Sequence, residues 1–267
     1  MILVIKGADF SASNIGKVEF ASELTSETLA AMGKLTRFPA EKGNRYAQAL
    51  NKMLKNLADN DLWDNISMLS IPIMSANIAE CSYDVKSGTS AANIDKFYQL
   101  NSEGELYWPG YTAGYENKAY YPVNIASNNM VLFGAISVHD ETYGQVVGLN
   151  HTPGWFATTG GFVFMKPQGL TVMCNSNVRV ADDRVAVTSA FVANCKGTDV
   201  LYIDSKGEYA GQTDVSEAKS YYSLCPALSA YNSGSTFSYK IFGGGVGLTN
   251  DKAKKLYSII QEFANNF

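Results

Sequence analysis

Between Trp63 and Leu248 no helical periodicity lasts longer than a turn, and this confines most of the chain to folds built from sheets. Runs of about four to eight residues rich in Val, Ile, Phe, Tyr and Thr alternate there with clusters of Gly, Asn, Asp and Ser, the rhythm of a β-sandwich. NNMVLFGAISVHD, GGFVFMKP, GLTVMCNS, DRVAVTSAFVA and DVLYIDSKGEYAG read as strands or hairpins. In the last of these, Asp-Ser-Lys-Gly forms the turn, with Gly207 supplying a positive φ. Strands that follow one another without intervening helices argue against a parallel nucleotide-binding sheet.

Helices are expected only at the flanks. In RYAQALNKMLKNLADN, Tyr46, Leu50, Met53, Leu54 and Leu57 recur at helical spacing and share one face. Upstream, Ile2–Ile5 and Val18–Phe20 are short strand-like runs. A helix signal follows, capped by Ser22 or Thr25, with Leu24, Leu29 and Met32 on its apolar side. At the other end, IFGGGVGLTNDKAKKLYSIIQEFANNF places Gly243, Gly244, Gly245 and Gly247 before a helix. A dinucleotide fingerprint would need a further strand and an acidic residue about 20 positions on, and a Walker loop would need Gly-Lys-[Ser/Thr]. Neither is present, so the glycines read as a flexible hinge. Thr249 then caps a helix whose Leu256, Ile259, Ile260 and Phe263 dock on the sandwich. The chain divides accordingly into a 1–44 segment and a 45–267 domain.

Composition narrows the partners. Of 267 residues only 17% are charged, and 21 basic against 25 acidic side chains leave a net charge of −4. That balance gives no attraction for nucleic acid or anionic lipid. No stretch approaches the roughly 18–20 apolar residues of a membrane span, and Met1–Ile5 is too short for a signal core. A soluble chain without membrane insertion is expected. Cys81, Cys174, Cys195 and Cys225 lack zinc or redox spacing and only two histidines exist, so buried free thiols, no metal and no cofactor are expected.

Three segments carry a resemblance. RVAVTSAFVANCKGTDVLYIDSKGEYAG, with Leu201-Tyr202-Ile203-Asp204 and its turn glycine displaced to Gly207, resembles a hairpin of concanavalin A-like (laminin-G or pentraxin type) domains. SYKIFGGGVGLTNDKAKKLYSIIQEFANNF is similar to the closing helix of many such domains, through Leu248, Thr249, Asp251, Leu256, Tyr257, Gln261 and Phe263. LNKMLKNLADNDLWDNI resembles the helix that precedes the sandwich in tail and other virion proteins of tailed bacteriophages. The resemblance implies a mainly β, concanavalin A-like jelly-roll β-sandwich with a small helix-containing N-terminal segment and a C-terminal helix. It implies a virion structural protein of the tail or a surface appendage, with other virion proteins, copies of itself and host cell-surface polysaccharide as partners. A capsid decoration protein without ligand and a bacterial surface glycan-binding protein remain as alternatives. Residues 1–20 then either anchor the protein to its assembly or add an edge strand to its own sandwich.

Some sandwiches of this kind are glycoside hydrolases, whose laminarinase-like branch sets its carboxylates on one strand as E-x-D-x-E, and no such triplet occurs here. The acidic clusters His139-Asp140-Glu141 and Asp182-Asp183 read as turns or solvated faces. Neither His139 nor His151 lies near a G-x-S-x-G elbow. No enzymatic activity is expected on these grounds. Sugar binding survives as the specific activity, since sugar faces pair apolar C–H patches with hydroxyls and call for aromatic rings beside hydrogen-bonding groups. GELYWPGYTAGYENKAYYP offers Tyr107, Trp108, Tyr111, Tyr115 and Glu116, and TPGWFATTGG offers Trp155. Loops packed by their own aromatics are the competing reading.

Overall fold

The computed structural model describes residues 43–109, 119–139, 144–150, 162–166, 169–174, 176–181, 189–213, 219–226 and 236–267. The expectations for Ile2–Ile5, Val18–Phe20 and the helix after Ser22 lie outside these residues. Helix α1 (Gly43–Asp59) buries Tyr46, Leu50, Met53, Leu54 and Leu57, the face that the sequence spacing predicts. A 3-10 turn (Trp63–Asn65) leads into β1 (Ile66–Ser70). Lys86 fixes this turn by donating to the Trp63 carbonyl at 2.9 Å while lying 4.3 Å from the centre of its indole.

Two one-turn helices, α2 (Ile78–Cys81) and α3 (Ile94–Phe97), precede the short strands β2 (Gln99–Leu100) and β3 (Leu106–Trp108). The remaining strands are β4 (Tyr121–Ala126), β5 (Asn129–Val138), β6 (Gly144–Asn150), β7 (Phe162–Lys166), β8 (Gly169–Cys174) and β9 (Ser176–Ala181). They continue as β10 (Ser189–Lys196), β11 (Asp199–Asp204), β12 (Gly207–Gln212), β13 (Ser220–Pro226) and β14 (Phe237–Val246), before the closing helix α4 (Asn250–Ala264). All named pairings are antiparallel, and they fall into two ladders. One runs β12-β11-β10-β5-β14, with β1 and β3 both against β14; the other runs β4-β13-β6-β7-β8-β9. They meet at the β4–β5 corner through the single pair Ala126↔Asn129.

Strand alternation gives each ladder its two faces. Met130, Leu132, Phe191, Ala193, Val200 and Tyr202 of the first ladder meet Tyr121, Ile125, Val147, Leu149, Tyr221 and Leu224 of the second in one apolar cluster. On the opposite face Val131, Phe133, Val192, Leu201, Ile203 and Ile241 pack with α1 and α4. The molecule is therefore a mainly β, jelly-roll β-sandwich whose first sheet is capped by two helices. Asp204↔Gly207 closes the β11–β12 hairpin with Gly207 at φ 134°, as the sequence predicts. Cys81, Cys195 and Cys225 are buried thiols.

The glycine run is not a hinge. Gly243, Gly244 and Gly245 lie inside β14, paired on one side with β1 and on the other with β5. A Cβ on Gly243 would stand 2.5 Å from the Met68 carbonyl oxygen and 2.6 Å from the Phe133 ring. On Gly244 it would stand 2.5 Å from Leu224, and on Gly245 it would overlap the Asn65 carbonyl. These glycines are needed because sheet, turn and core approach the backbone too closely for any side chain. Beyond them Thr249 caps α4 as expected, accepting from the Lys252 N–H, and Leu256, Ile259, Ile260 and Phe263 are buried.

Candidate functional site

On the face of the first sheet turned away from the inter-sheet core lies a polar cluster. Its floor is Ser238 of β14, which stands opposite Tyr107 of β3 and Ser137 of β5. The neighbouring Phe237 and Tyr239 point the other way, into the inter-sheet core. The same period of two sorts Glu105-Leu106-Tyr107-Trp108. Leu106 and Trp108 enter the core, and Glu105 and Tyr107 turn to the opposite face.

Glu105 is held there by a rigid turn. Asn101 Oδ1 accepts from the Glu105 N–H at 2.7 Å and the Glu103 N–H at 3.1 Å, and its Nδ2 donates to Glu105 Oε2 at 3.1 Å. Gly104 takes φ +73° within this turn, and a Cβ there would lie 2.8 Å from the Met74 backbone. The carboxylate so placed is only 3% exposed. Ser238, fully buried, donates its hydroxyl proton to Glu105 Oε2 in a short hydrogen bond. The Ser238 oxygen lies 3.1 Å from His139 Nε2. His139 itself is exposed, with its main-chain N–H bound to the Thr236 carbonyl and its ring edge-on to Tyr107 at 5.7 Å.

The result is a chain of groups running from a buried carboxylate through a buried hydroxyl to an imidazole in solvent. Ser238 cannot serve as a nucleophile, because its oxygen has no access to solvent and its proton is directed at Glu105. His139 and the half-buried Tyr107 are the groups that a ligand can reach. Glu103 lies on the same turn, fully exposed. The Ser102 hydroxyl and its own main-chain N–H hold its carboxyl below the ordinary glutamate range, and His139 adds a smaller pull in the same direction. Among the described residues no group of three or more His, Cys, Asp or Glu side chains could hold a metal ion.

Of the residues expected to contact sugar, Tyr107 sits in this cluster. Trp108 is 4% exposed and packs against Tyr98 at 5.3 Å between ring centres, inside the core. Tyr111, Tyr115, Glu116 and Trp155 lie outside the described residues. Sequence reasoning missed Glu105 and Ser238 and read His139 as part of a turn or solvated face. No local motif could have announced them, for Ser238 lies 99 positions from His139 and 133 from Glu105.

No family model matches the chain, and no curated protein matches it in sequence. Among solved structures, the Trypanosoma rangeli sialidase is similar with a TM-score of 0.52 at 9% identity, over 82% of this chain and 39% of its own. The binding domain of botulinum neurotoxin serotype D gives 0.50 at 9% identity, over 76% of this chain and 52% of its own. Alginate lyase A1-II′, of polysaccharide lyase family 7, gives 0.42 at 9% identity, over 69% and 96%. At such identities the likeness is one of fold, a jelly-roll β-sandwich. It also corrects the expectation of no enzymatic activity. That expectation rested on the lack of a carboxylate triplet or triad legible along the strands. The fold is shared with a sialidase, and the Glu105–Ser238–His139 chain is assembled from distant positions, so the missing motifs exclude nothing.

Proposed function

We propose that this protein binds glycans and that the rim formed by Tyr107, His139 and Glu103 contacts them. The observation that carries the reading is the placement of an exposed imidazole, anchored through Ser238 to a buried carboxylate, beside a half-buried tyrosine ring. An aromatic edge beside a fixed polar group matches the mixed apolar and hydroxyl character of a sugar face. Tyr111, Tyr115, Glu116 and Trp155 supply further contacts in this reading, while Trp108 supports β3 from within the core. The jelly-roll fold is in keeping with such a role.

The finer assignment is to the surface of a tailed-bacteriophage virion, as a tail or appendage component bound to other virion proteins and to copies of itself. It rests on the sequence resemblances of Leu50–Ile66 and Ser238–Phe267, with a weaker one at Ile2–Val18. A glycan array probed with the full chain tests the binding. Retention on defined polysaccharides that falls at least about tenfold in Tyr107→Ala and His139→Ala supports the site. Silence across the array removes the glycan reading and favours a decoration role. Antibody labelling of virions in electron micrographs tests the location, and absence of label from the particle overturns it.

A further inference from the structure

The hydrogen-bond chain fixes more than the position of His139; it fixes which of its nitrogens carries the proton. Glu105 Oε2 receives both the Asn101 amide at 3.1 Å and the single hydroxyl proton of Ser238. Ser238 therefore has only lone pairs left to offer His139 Nε2, 3.1 Å away. Neutral His139 must donate from Nε2, which leaves Nδ1 as a lone pair without a hydrogen-bond partner among the described residues. An imidazole locked in this way presents an acceptor to solvent. Among the described residues, the acidic groups that interact with the cluster are Glu103 and Glu105, and Ser102 helps keep Glu103 ionised.

Resting on the glycan-binding reading above, we infer that this rim selects uncharged sugars, whose hydroxyl donates to His139 Nδ1, and rejects acidic ones. A sugar hydroxyl brings the proton that Nδ1 lacks. A sugar carboxylate brings another acceptor and a negative charge toward a rim that already carries both. Ser238 is a positioning residue here, acting on the ligand only through the tautomer it imposes.

Two measurements on the full chain test this. Long-range nitrogen–proton correlation spectra at about pH 8, where an ordinary imidazole is neutral, report the tautomer directly. The two histidines are distinguished by His139→Gln. The expected result is an Nε2-protonated His139 in the wild-type chain and a mixture of tautomers in Ser238→Ala; an Nδ1-protonated wild-type ring overturns the inference without recourse to any variant. The second measurement compares neutral hexose oligosaccharides with uronic-acid counterparts of the same linkage. Binding to the neutral set at least about tenfold tighter is expected. Equal or tighter binding of the uronates overturns the selectivity while leaving the glycan-binding reading intact. Silence of both sets removes that reading and the selectivity together, and the tautomer still decides whether the chain of hydrogen bonds operates.

Discussion

Gly243 shows how a single missing Cβ is demanded by the fold. With Met68 oxygen at 2.5 Å and the Phe133 ring at 2.6 Å from the position an alanine methyl would take, backbone and core would both have to move. Gly243→Ala is expected to destabilise the protein by about 3 kcal/mol or more, read as a fall in the urea midpoint at unchanged m-value. A change under about 1 kcal/mol would show that the strand is loosely packed, as a hinge would be. Tyr121 is a second residue whose environment predicts a measurement. Burial of its ring at the inter-sheet core raises its phenol far above the ordinary value, with only a 3.4 Å hydrogen bond to Ser70 opposing. Below about pH 10 the phenol is protonated in folded and unfolded chains alike and stability is unaffected. Above that, only the unfolded chain releases the proton, so stability falls by about 1.4 kcal/mol per pH unit for this residue. Tyr121→Phe is expected to change stability by no more than about 1 kcal/mol at pH 7 and to remove one proton's worth of the alkaline slope. Unfolding curves between pH 9 and pH 11 (about one unit either side of an ordinary phenol) check this.

At the scale of elements, α4 is seated by a side chain from another strand. Asn194 of β10, 1% exposed, donates to the Leu248 carbonyl at 2.9 Å and accepts from the Leu248 N–H at 2.8 Å. It thereby stands in for a peptide group just before the helix begins. Asn194→Ala leaves both main-chain groups of Leu248 without these partners, and a loss of about 2–4 kcal/mol is expected in chemical denaturation. Thr249→Ala, which removes only the cap, is expected to cost about 0.5–1 kcal/mol. Equal effects of the two would mean that Asn194 contributes no more than an ordinary cap. The turn that presents Glu105 is likewise a local device with a distant consequence. Gly104→Ala forces a methyl against the Met74 backbone at a positive φ, and should loosen the Glu105–Ser238 bond along with the turn. A mixed His139 tautomer in that variant is the expected readout.

For the whole molecule, the strand rhythm, the two flanking amphipathic helices and the β11–β12 hairpin were legible because each depends on spacing along the chain. Period two and period 3.6 are local properties, and Tyr46 to Leu57 or Leu256 to Phe263 reveal their buried faces without knowledge of what covers them. The separation of Tyr107 from Trp108 was legible in principle by the same rule, since adjacent residues of a strand face opposite ways. On β3 this puts Tyr107 beside His139 and Trp108 in the core. The features that no local pattern reveals share one physical cause, the approach of segments far apart along the chain. The glycines of β14 look like a hinge until β1, β5, Phe133 and Leu224 are seen closing on them. His139 looks like a turn residue until a serine 99 positions away and a glutamate beyond it are brought into line. A hydrogen bond acts over about 3 Å in space and is indifferent to distance along the chain, so no pattern of neighbours could encode it.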